Sequence, residues 1–311
     1  MSDCLVLTTL ADEFVAEIER LSDGAIKATA CATVEDARQL YDGETVLFGS
    51  PGMIVRVIDD MPAVNWVQSS WAGVTPLINA GRRDYQLTGV KGVFGPQMAE
   101  YTLGYLLAHE LKIRKRRDAQ DRREWFGEHS GTLTGKTLGI LGTGSIGSGI
   151  AEAASAFGMQ SIGLSRSGRA KPGFVEVFRT ADIGEFLESA DHFVSTLPAT
   201  PETDRLLNAD TLAHAKPGAV FVNVGRSNVV DDGALVTALN ENRLAGAVLD
   251  VFDEEPLPDH SPLWTSPNLA VTAHIAAISH PLLIVPVFVD NFFRYRDGNL
   301  LQYVVDFSTG Y

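Results

Sequence analysis

The sequence predicts an α/β protein built from two parallel-sheet domains, and three observations carry that prediction. Short apolar runs of strand length alternate with helix-length segments along nearly all of the 311 residues. Alternation of this kind buries a parallel sheet beneath its crossover helices. The length suits two domains at about 150 residues each. One stretch, Leu138–Gly147 (LGILGTGSIG), joins an apolar run to a helical pattern through three glycines.

In the first part of the chain, Cys4–Thr9 is apolar enough for a buried strand. Asp12–Leu21 has helical spacing at Phe14, Val15, Ile18 and Leu21, with Asp12 as its cap. Thr45–Phe48 reads as a strand that ends in the turn Gly49-Ser50-Pro51-Gly52. Asn65–Gln68 is a further strand running into Ser69–Val74, and Gln86–Val90 is another. Pro96–Leu111 carries a long helical pattern that joins two domains, and polar Lys112–Thr134 is its end and a loop.

The second part repeats the rhythm more clearly. Its strand candidates are Thr137–Leu141, Gln160–Leu164, His192–Thr196, Ala219–Asn223, Ala245–Asp250 and Leu269–Thr272. Strands so separated by helix-length segments fit a doubly wound, Rossmann-like domain. Ile275–Arg296 is helical in length, although Pro281 and Pro286 must start, kink or interrupt it. The tail, Leu300–Tyr311, is expected to pack back on the first domain.

Bulk properties exclude several classes of function. A net charge of −14 argues against nucleic acid as a main partner. No apolar run reaches the roughly 18–20 residues of a membrane span. The N-terminal residues have an acid at Asp3, no basic region and no small-residue cleavage site, and read as a first strand rather than a signal peptide. Cys4 and Cys31 lie in apolar or small surroundings without metal-ligand spacing. They fit buried thiols in a reducing, cytoplasmic compartment; a disulfide between them is an alternative the fold does not need. The basic cluster Arg114–Arg117 with Arg122 and Arg123 is interleaved with Asp118, Asp121 and Glu124, as on a solvated helix end.

The glycine stretch has the form strand, tight turn, helix. Gly142 permits the turn, Gly144 lets backbone approach a pyrophosphate, and Gly147 lets the helix pack close to the strand. The amides of the new helix, with Thr143, Ser145 and Ile146, then face the phosphates. The competing reading is a glycine-rich structural turn. After the next strand comes Leu164-Ser165-Arg166-Ser167-Gly168-Arg169, which holds no acid. An acid there would bind the ribose 2′-OH of NAD, whereas an arginine suits the 2′-phosphate of NADP. Arg166, flanked by Ser165 and Ser167, therefore points to NADP(H) over NAD(H), with NAD(H) kept as the second choice.

Arg226 (in NVGRS), Glu255 (in DVFDEEPLP) and His274 (in TAH) each follow a predicted strand end. Open α/β sheets bind ligands at those ends. The trio fits reduction of a 2-oxo acid. A histidine donates a proton to the carbonyl oxygen as hydride reaches the carbon, and a glutamate orients the ring. An arginine binds the substrate carboxylate and polarises the carbonyl. Glu254 and His280 are rivals for the acid and the imidazole.

These motifs resemble the D-isomer-specific 2-hydroxyacid dehydrogenase family. The matching pieces are LGILGTGSIG (138–147), TLPATPET (196–203), KPGAVFVNVGRSNVVDDGAL (216–235), GAVLDVFDEEPLP (246–258) and PNLAVTAHIAA (267–277). SSWAGV (69–74) and MAEYTLGYLLA (98–108) match more weakly. Ser165-Arg166-Ser167 and the C-terminal VVDFSTGY resemble the NADPH-preferring glyoxylate/hydroxypyruvate reductase branch.

The resemblance implies two Rossmann-like or flavodoxin-like domains, with a cofactor domain (98–276) inserted in a substrate domain (1–97 plus 277–311). It implies catalytic roles for Arg226, Glu255 and His274. It implies cofactor contacts from Thr196, Leu197, Pro198 and Val224, and an Asp250 contact to the nicotinamide carboxamide. It implies a substrate site that adds Trp71 and the amides of Ala72 and Gly73 to Arg226 and His274. Trp71 either narrows the pocket toward small 2-oxo acids or merely packs. Thr75 stands where the family often has Asp. A homodimer acting on a small 2-oxo or 2-hydroxy acid is implied, with no metal, nucleic acid or membrane partner. The alternative is a cofactor-sensing, corepressor-like binding protein on the same fold.

Overall fold

A computed structural model describes residues 3–308. The first two residues, and Thr309–Tyr311 of the C-terminal run, lie outside the described residues. The chain divides into two compact units, with borders at Val93/Phe94 and Ile278/Ser279, so that the second unit is a continuous insertion in the first.

The first unit opens with β1 (Cys4–Leu7), α1 (Ala11–Leu21), β2 (Ala28–Cys31), α2 (Val34–Leu40), β3 (Val46–Gly49), α3 (Pro51–Ile54), β4 (Trp66–Ser69), α4 (Thr75–Ile78) and β5 (Gln86–Thr88). The second unit holds α5 (Gly95–Glu110), α6 (Ile113–Asp121), β6 (Thr137–Leu141), α7 (Ser145–Ala156), β7 (Gln160–Ser165), β8 (Glu176–Arg179), α8 (Ile183–Ser189), β9 (His192–Ser195), α9 (Ala209–Leu212), β10 (Val220–Asn223), α10 (Asp232–Asn240), β11 (Gly246–Leu249) and β12 (Leu269–Val271). The chain then returns to the first unit with α11 (Pro281–Arg296).

Both sheets are parallel throughout, as expected of the α/β class. The first has strand order β2-β1-β3-β4-β5, the flavodoxin-like order. The second runs β12-β11-β10-β9-β6-β7-β8. Counted from its own first strand, this is the Rossmann order with one strand added beyond the sixth. The order reverses between β6 and β9, which are paired neighbours. Such a switch point is where this class of sheet binds ligands.

In the first unit, α11 packs through aromatic faces. Phe288 stacks on Phe48, with centroids 4.3 Å apart, and on Trp66 at 5.6 Å. Phe14 of α1 meets Phe48 edge-on at 5.4 Å. Such rings bury large apolar areas with specific geometry. The tail does return to this unit, where the Val305 amide donates to Leu87 O (2.8 Å) and Val304 bridges Thr88.

Several local expectations need correction. The helix beginning near Asp12 starts at Ala11, and Asp12 lies in its first turn, where it favours the helix dipole without capping it. The turn after β3 opens a short helix, with Pro51 at its first position. The loop expected at 112–134 contains α6, a polar helix that buries only Ala119. The helix expected from Ile275 starts at Pro281, and Pro286 lies inside it. Strands β2 and β8 went unread in the sequence.

Candidate active site

The glycine turn ends β6 and starts α7. Gly142 has φ +101°, a conformation that L side chains rarely adopt. A Cβ on Gly147 would lie 2.0 Å from Gly142 O, so only glycine lets α7 approach this closely. A Cβ on Gly144 would meet nothing within 4 Å, so that face is open. The first hydrogen bond into the helix comes from Ser148 to Gly144 O. The amides of Ser145, Ile146 and Gly147 thus lie ahead of the ladder, as anion-binding helix termini require. Thr143 sits beside β7, where its methyl would be 2.5 Å from a Cβ on Gly163.

Neighbouring strand ends continue the rim. Thr196 Oγ1 reaches Leu141 O (3.2 Å) and Gly142 O (3.1 Å), tying the end of β9 to the turn. Gly225 lies so close to Leu197 that a Cβ would meet its carbonyl oxygen at 2.7 Å. Pro198 O accepts from Thr203 Oγ1 (2.7 Å). Val224 is buried and donates its amide to Ser195 O (3.1 Å). After β7, Ser165 Oγ accepts the Gly168 amide (3.1 Å) and Ser167 Oγ the Arg169 amide (3.4 Å). Arg166, exposed on this turn, makes no hydrogen bond or ion pair among the described residues, and its charge acts on the Glu202 carboxylate.

The predicted trio sits after β10, β11 and β12. His274 Nδ1 lies 3.0 Å from Glu255 Oε2 and 3.2 Å from Oε1. The two side chains are 47% and 38% exposed, open enough to meet a ligand. Glu255 Oε1 also accepts the Phe252 amide (3.0 Å), which fixes the carboxylate. Of the rivals, Glu254 is not the acid facing His274, and His280 caps α11 by accepting the Leu282 amide on Nδ1 (3.3 Å). With a carboxylate on Nδ1, a ring proton sits there, and Nε2 makes no hydrogen bond among the described residues.

Arg226 donates from Nη1 to Gly225 O (2.6 Å). Burial lowers its pKa, and the Glu255 carboxylate opposes that shift. Asn223 holds the arginine's turn. Its amide nitrogen donates to Arg226 O (3.1 Å), and its oxygen accepts the Gly225 amide (3.1 Å). Sequence reasoning missed Asn223; the available signal was an amide side chain ending an otherwise apolar strand.

Asp250, expected at the nicotinamide, turns both carboxylate oxygens inward. Oδ1 accepts from Thr272 Oγ1 (2.6 Å) and the Ile275 amide (2.8 Å), and Oδ2 from the Ala276 amide (2.8 Å). In the first unit, Ser69 Oγ donates to Trp71 O (2.8 Å) and accepts the Trp71 amide (3.0 Å). Trp71 is 44% exposed. Ala72 and Gly73 donate no backbone hydrogen bond among the described residues. Both cysteines are buried free thiols. No helix among the described residues is long and apolar enough to cross a membrane.

Residues 103–276 match the model of the D-isomer specific 2-hydroxyacid dehydrogenase, NAD binding domain. The chain belongs to this 2-hydroxyacid dehydrogenase family. It is 41% identical to a D-isomer specific 2-hydroxyacid dehydrogenase family protein of Aeromonas salmonicida, with a TM-score of 0.92 over 99% of this chain and 100% of that one. Against the NADPH-dependent glyoxylate/hydroxypyruvate reductase of Sinorhizobium meliloti, solved with NADP and sulfate, identity is 28% and the TM-score 0.84, covering 99% and 100%. Glyoxylate/hydroxypyruvate reductase A of Serratia proteamaculans is 34% identical over 215 residues, 69% of each protein. The chain is thus a glyoxylate/hydroxypyruvate reductase-like oxidoreductase of the 2-hydroxyacid dehydrogenase family, with a nicotinamide-cofactor domain.

Proposed function

We propose that this enzyme reduces small 2-oxo acids to (R)-2-hydroxy acids and takes its hydride from NADPH in preference to NADH. The observation that carries the reading is the open His274–Glu255 pair beyond the strand ends, with Arg226 after the neighbouring strand β10. The residues of the cofactor domain fit a dinucleotide, since helix α7 offers unsatisfied amides at an open glycine face. Ser145, Ile146 and Gly147 would hold its pyrophosphate, and Arg166 its 2′-phosphate. The bound nicotinamide supplies a hydride to the carbonyl carbon.

The rest of the chemistry belongs to side chains of this chain. Hydride addition places negative charge on the substrate oxygen. His274, held through Nδ1, delivers a proton to that oxygen from Nε2, which completes the alcohol. Glu255 steadies the imidazolium before transfer and the ring orientation after it. Arg226 clamps the carboxylate and draws electron density from the carbonyl, with more force than an exposed arginine because less water screens it.

Two facts support the preference for NADPH. Arg166 stands where an NAD enzyme would place an acid, and the Sinorhizobium relative was solved with NADP. The test is absorbance at 340 nm with glyoxylate, hydroxypyruvate, pyruvate and phenylpyruvate, each with NADPH and with NADH, followed by chiral analysis of the product. The expected result is turnover of the smaller acids with NADPH and an (R) product wherever a stereocentre forms. His274→Ala should abolish most turnover and keep NADPH binding near normal. Retained turnover in that variant would overturn the acid/base assignment.

A further inference from the structure

We propose that Tyr101 is a positioning residue for His274, acting through Thr272 and Asp250. The inference rests on the reading of His274 as the proton donor. It starts from a backbone fact. His274 has φ +55°, in the left-handed region that residues with a Cβ adopt uncommonly. Glu255 holds the ring. A separate set of contacts holds the peptide.

Asp250 does so directly. It is 1% exposed, and its carboxylate brackets residue 274 from both sides. Thr272 donates to Oδ1 from one side, and the amides of Ile275 and Ala276 donate to the two oxygens from the other. A carboxylate bound in this way selects one path for the loop.

The bracket continues into helix α5. Tyr101 OH lies 2.6 Å from Thr272 Oγ1. A threonine hydroxyl carries one proton, and here that proton goes to the Asp250 carboxylate, which can only accept. The phenol must therefore be the donor to Thr272. Burial raises the phenol's pKa, so its proton stays in place throughout the working pH range. The chain of donors runs from Tyr101 to Thr272 to Asp250, and each bond polarises the next. Tyr101 also packs its ring 4.8 Å from that of Tyr105, which fixes the phenol on the helix face. The relay anchors the histidine loop to a rigid 16-residue helix instead of leaving it on flexible chain.

A loop freed of this anchor would still carry its histidine, but would present Nε2 in the productive place less often. Misplacement of a reacting group by about 1 Å can reduce rate by about 100-fold. Tyr101→Phe removes only the hydroxyl. It should lower kcat by about 3–30-fold, with KM for the 2-oxo acid and for NADPH within about two-fold, as for an interaction acting on the transition state. The amides of Ile275 and Ala276 should exchange hydrogen faster, while the thermal midpoint stays close to wild type. Thr272→Val should act in the same direction and more strongly. Thr272→Ser keeps the hydroxyl and should restore most of kcat.

Wild-type kcat in Tyr101→Phe, with unchanged exchange at Ile275 and Ala276, would overturn the proposal. So would a variant that raised KM for NADPH and left kcat alone, since that marks a cofactor contact. His274→Ala separates the two levels of inference. An active His274→Ala enzyme removes the premise. An inactive one beside a fully active Tyr101→Phe enzyme removes the relay alone.

Discussion

Two His–Glu pairs occupy opposite ends of the second sheet, and they have nearly the same geometry. His274 and Glu255 lie 3.0 Å apart beyond the strand C-terminal ends. His192 and Glu110 lie 2.9 Å apart, with His192 the first residue of β9. Distance does not separate them; the second ring nitrogen does. His192 Nδ1 accepts the Val220 amide (3.2 Å), so its proton must sit on Nε2 and point at Glu110. Glu110 is closed in turn by Lys136 at 2.7 Å, and both members of the pair are buried. Neither nitrogen of His192 is left to exchange a proton. His274 differs, with Nδ1 held by Glu255 and no hydrogen bond at Nε2 among the described residues. Full engagement suits His192 to the fold, and a second nitrogen without a partner fits His274 for the proposed proton transfer; exposed His214, held by Glu188 through Nδ1 alone (2.7 Å), shows that the place beyond the strand ends counts as well.

The largest effect expected from breaking this contrast is on rate. His274→Ala should cost about 100- to 10,000-fold in kcat, the usual worth of a general acid, with little change in stability. His192→Ala should do the reverse. It strands the Val220 amide and removes a partner of Glu110, which costs about 2–4 kcal/mol of stability with the cavity included. Turnover per folded molecule should stay within a few-fold of wild type. Urea denaturation and initial rates on both variants make the cross-comparison. A His192 variant that is stable but slow would break it.

The second effect is a pH dependence carried by the closed pair. Burial, then Lys136, pushes His192 down to about 4 from the ordinary 6.5. Between those values the unfolded chain holds a proton that the folded chain refuses, so stability rises with pH across the window. The contribution is fully present above pH 6.5 and is lost as pH falls toward 4. Between pH 7.5 and 5 it amounts to roughly 2 kcal/mol. Unfolding free energies from urea denaturation at those two pH values should differ by that amount in wild type and by much less in His192→Ala. A parallel fall in both proteins would assign the effect to other groups.

The sequence showed little of this difference. The His274–Glu255 pairing, and the place of Arg226 after the neighbouring strand, were legible because residues that follow successive parallel strands come to one rim. The central strands were legible because buried parallel strands are unbroken apolar runs, as in VFVN of β10. β8 was missed because EVFR fully buries only Phe178, and β2 because ATAC lacks large side chains. α6 was missed because a polar helix that buries one alanine leaves no apolar stripe. The supports of the site were hidden for another reason. Tyr101 meets Thr272 across 171 residues, and His192 meets Glu110 across 82, so no local pattern records either pair.

The smallest expected effect extends the same contrast to two arginines. Arg116 is closed: Nε donates to Leu111 O (2.8 Å), and Nη2 to Glu128 O (2.9 Å) and Ser130 Oγ (3.0 Å). It fastens a loop to the end of α5. Arg166 is open, on a turn shaped by Ser165 and Ser167, at the end of the strand beside β6. A guanidinium free of hydrogen bonds beside a dinucleotide turn suits a phosphate, and one lost charge-assisted contact is worth about 1.5–3 kcal/mol. Exposure on this turn places the effect at the lower end, so Arg166→Ala should raise KM for NADPH about ten-fold. KM for NADH should change less than about two-fold, because NADH has no 2′-phosphate to lose. Arg116→Ala should leave both values near wild type and act on stability instead. Equal losses for the two cofactors in Arg166→Ala would show that the open arginine is not the phosphate contact. The selectivity would then have to come from the backbone of the turn or from the serine hydroxyls beside it.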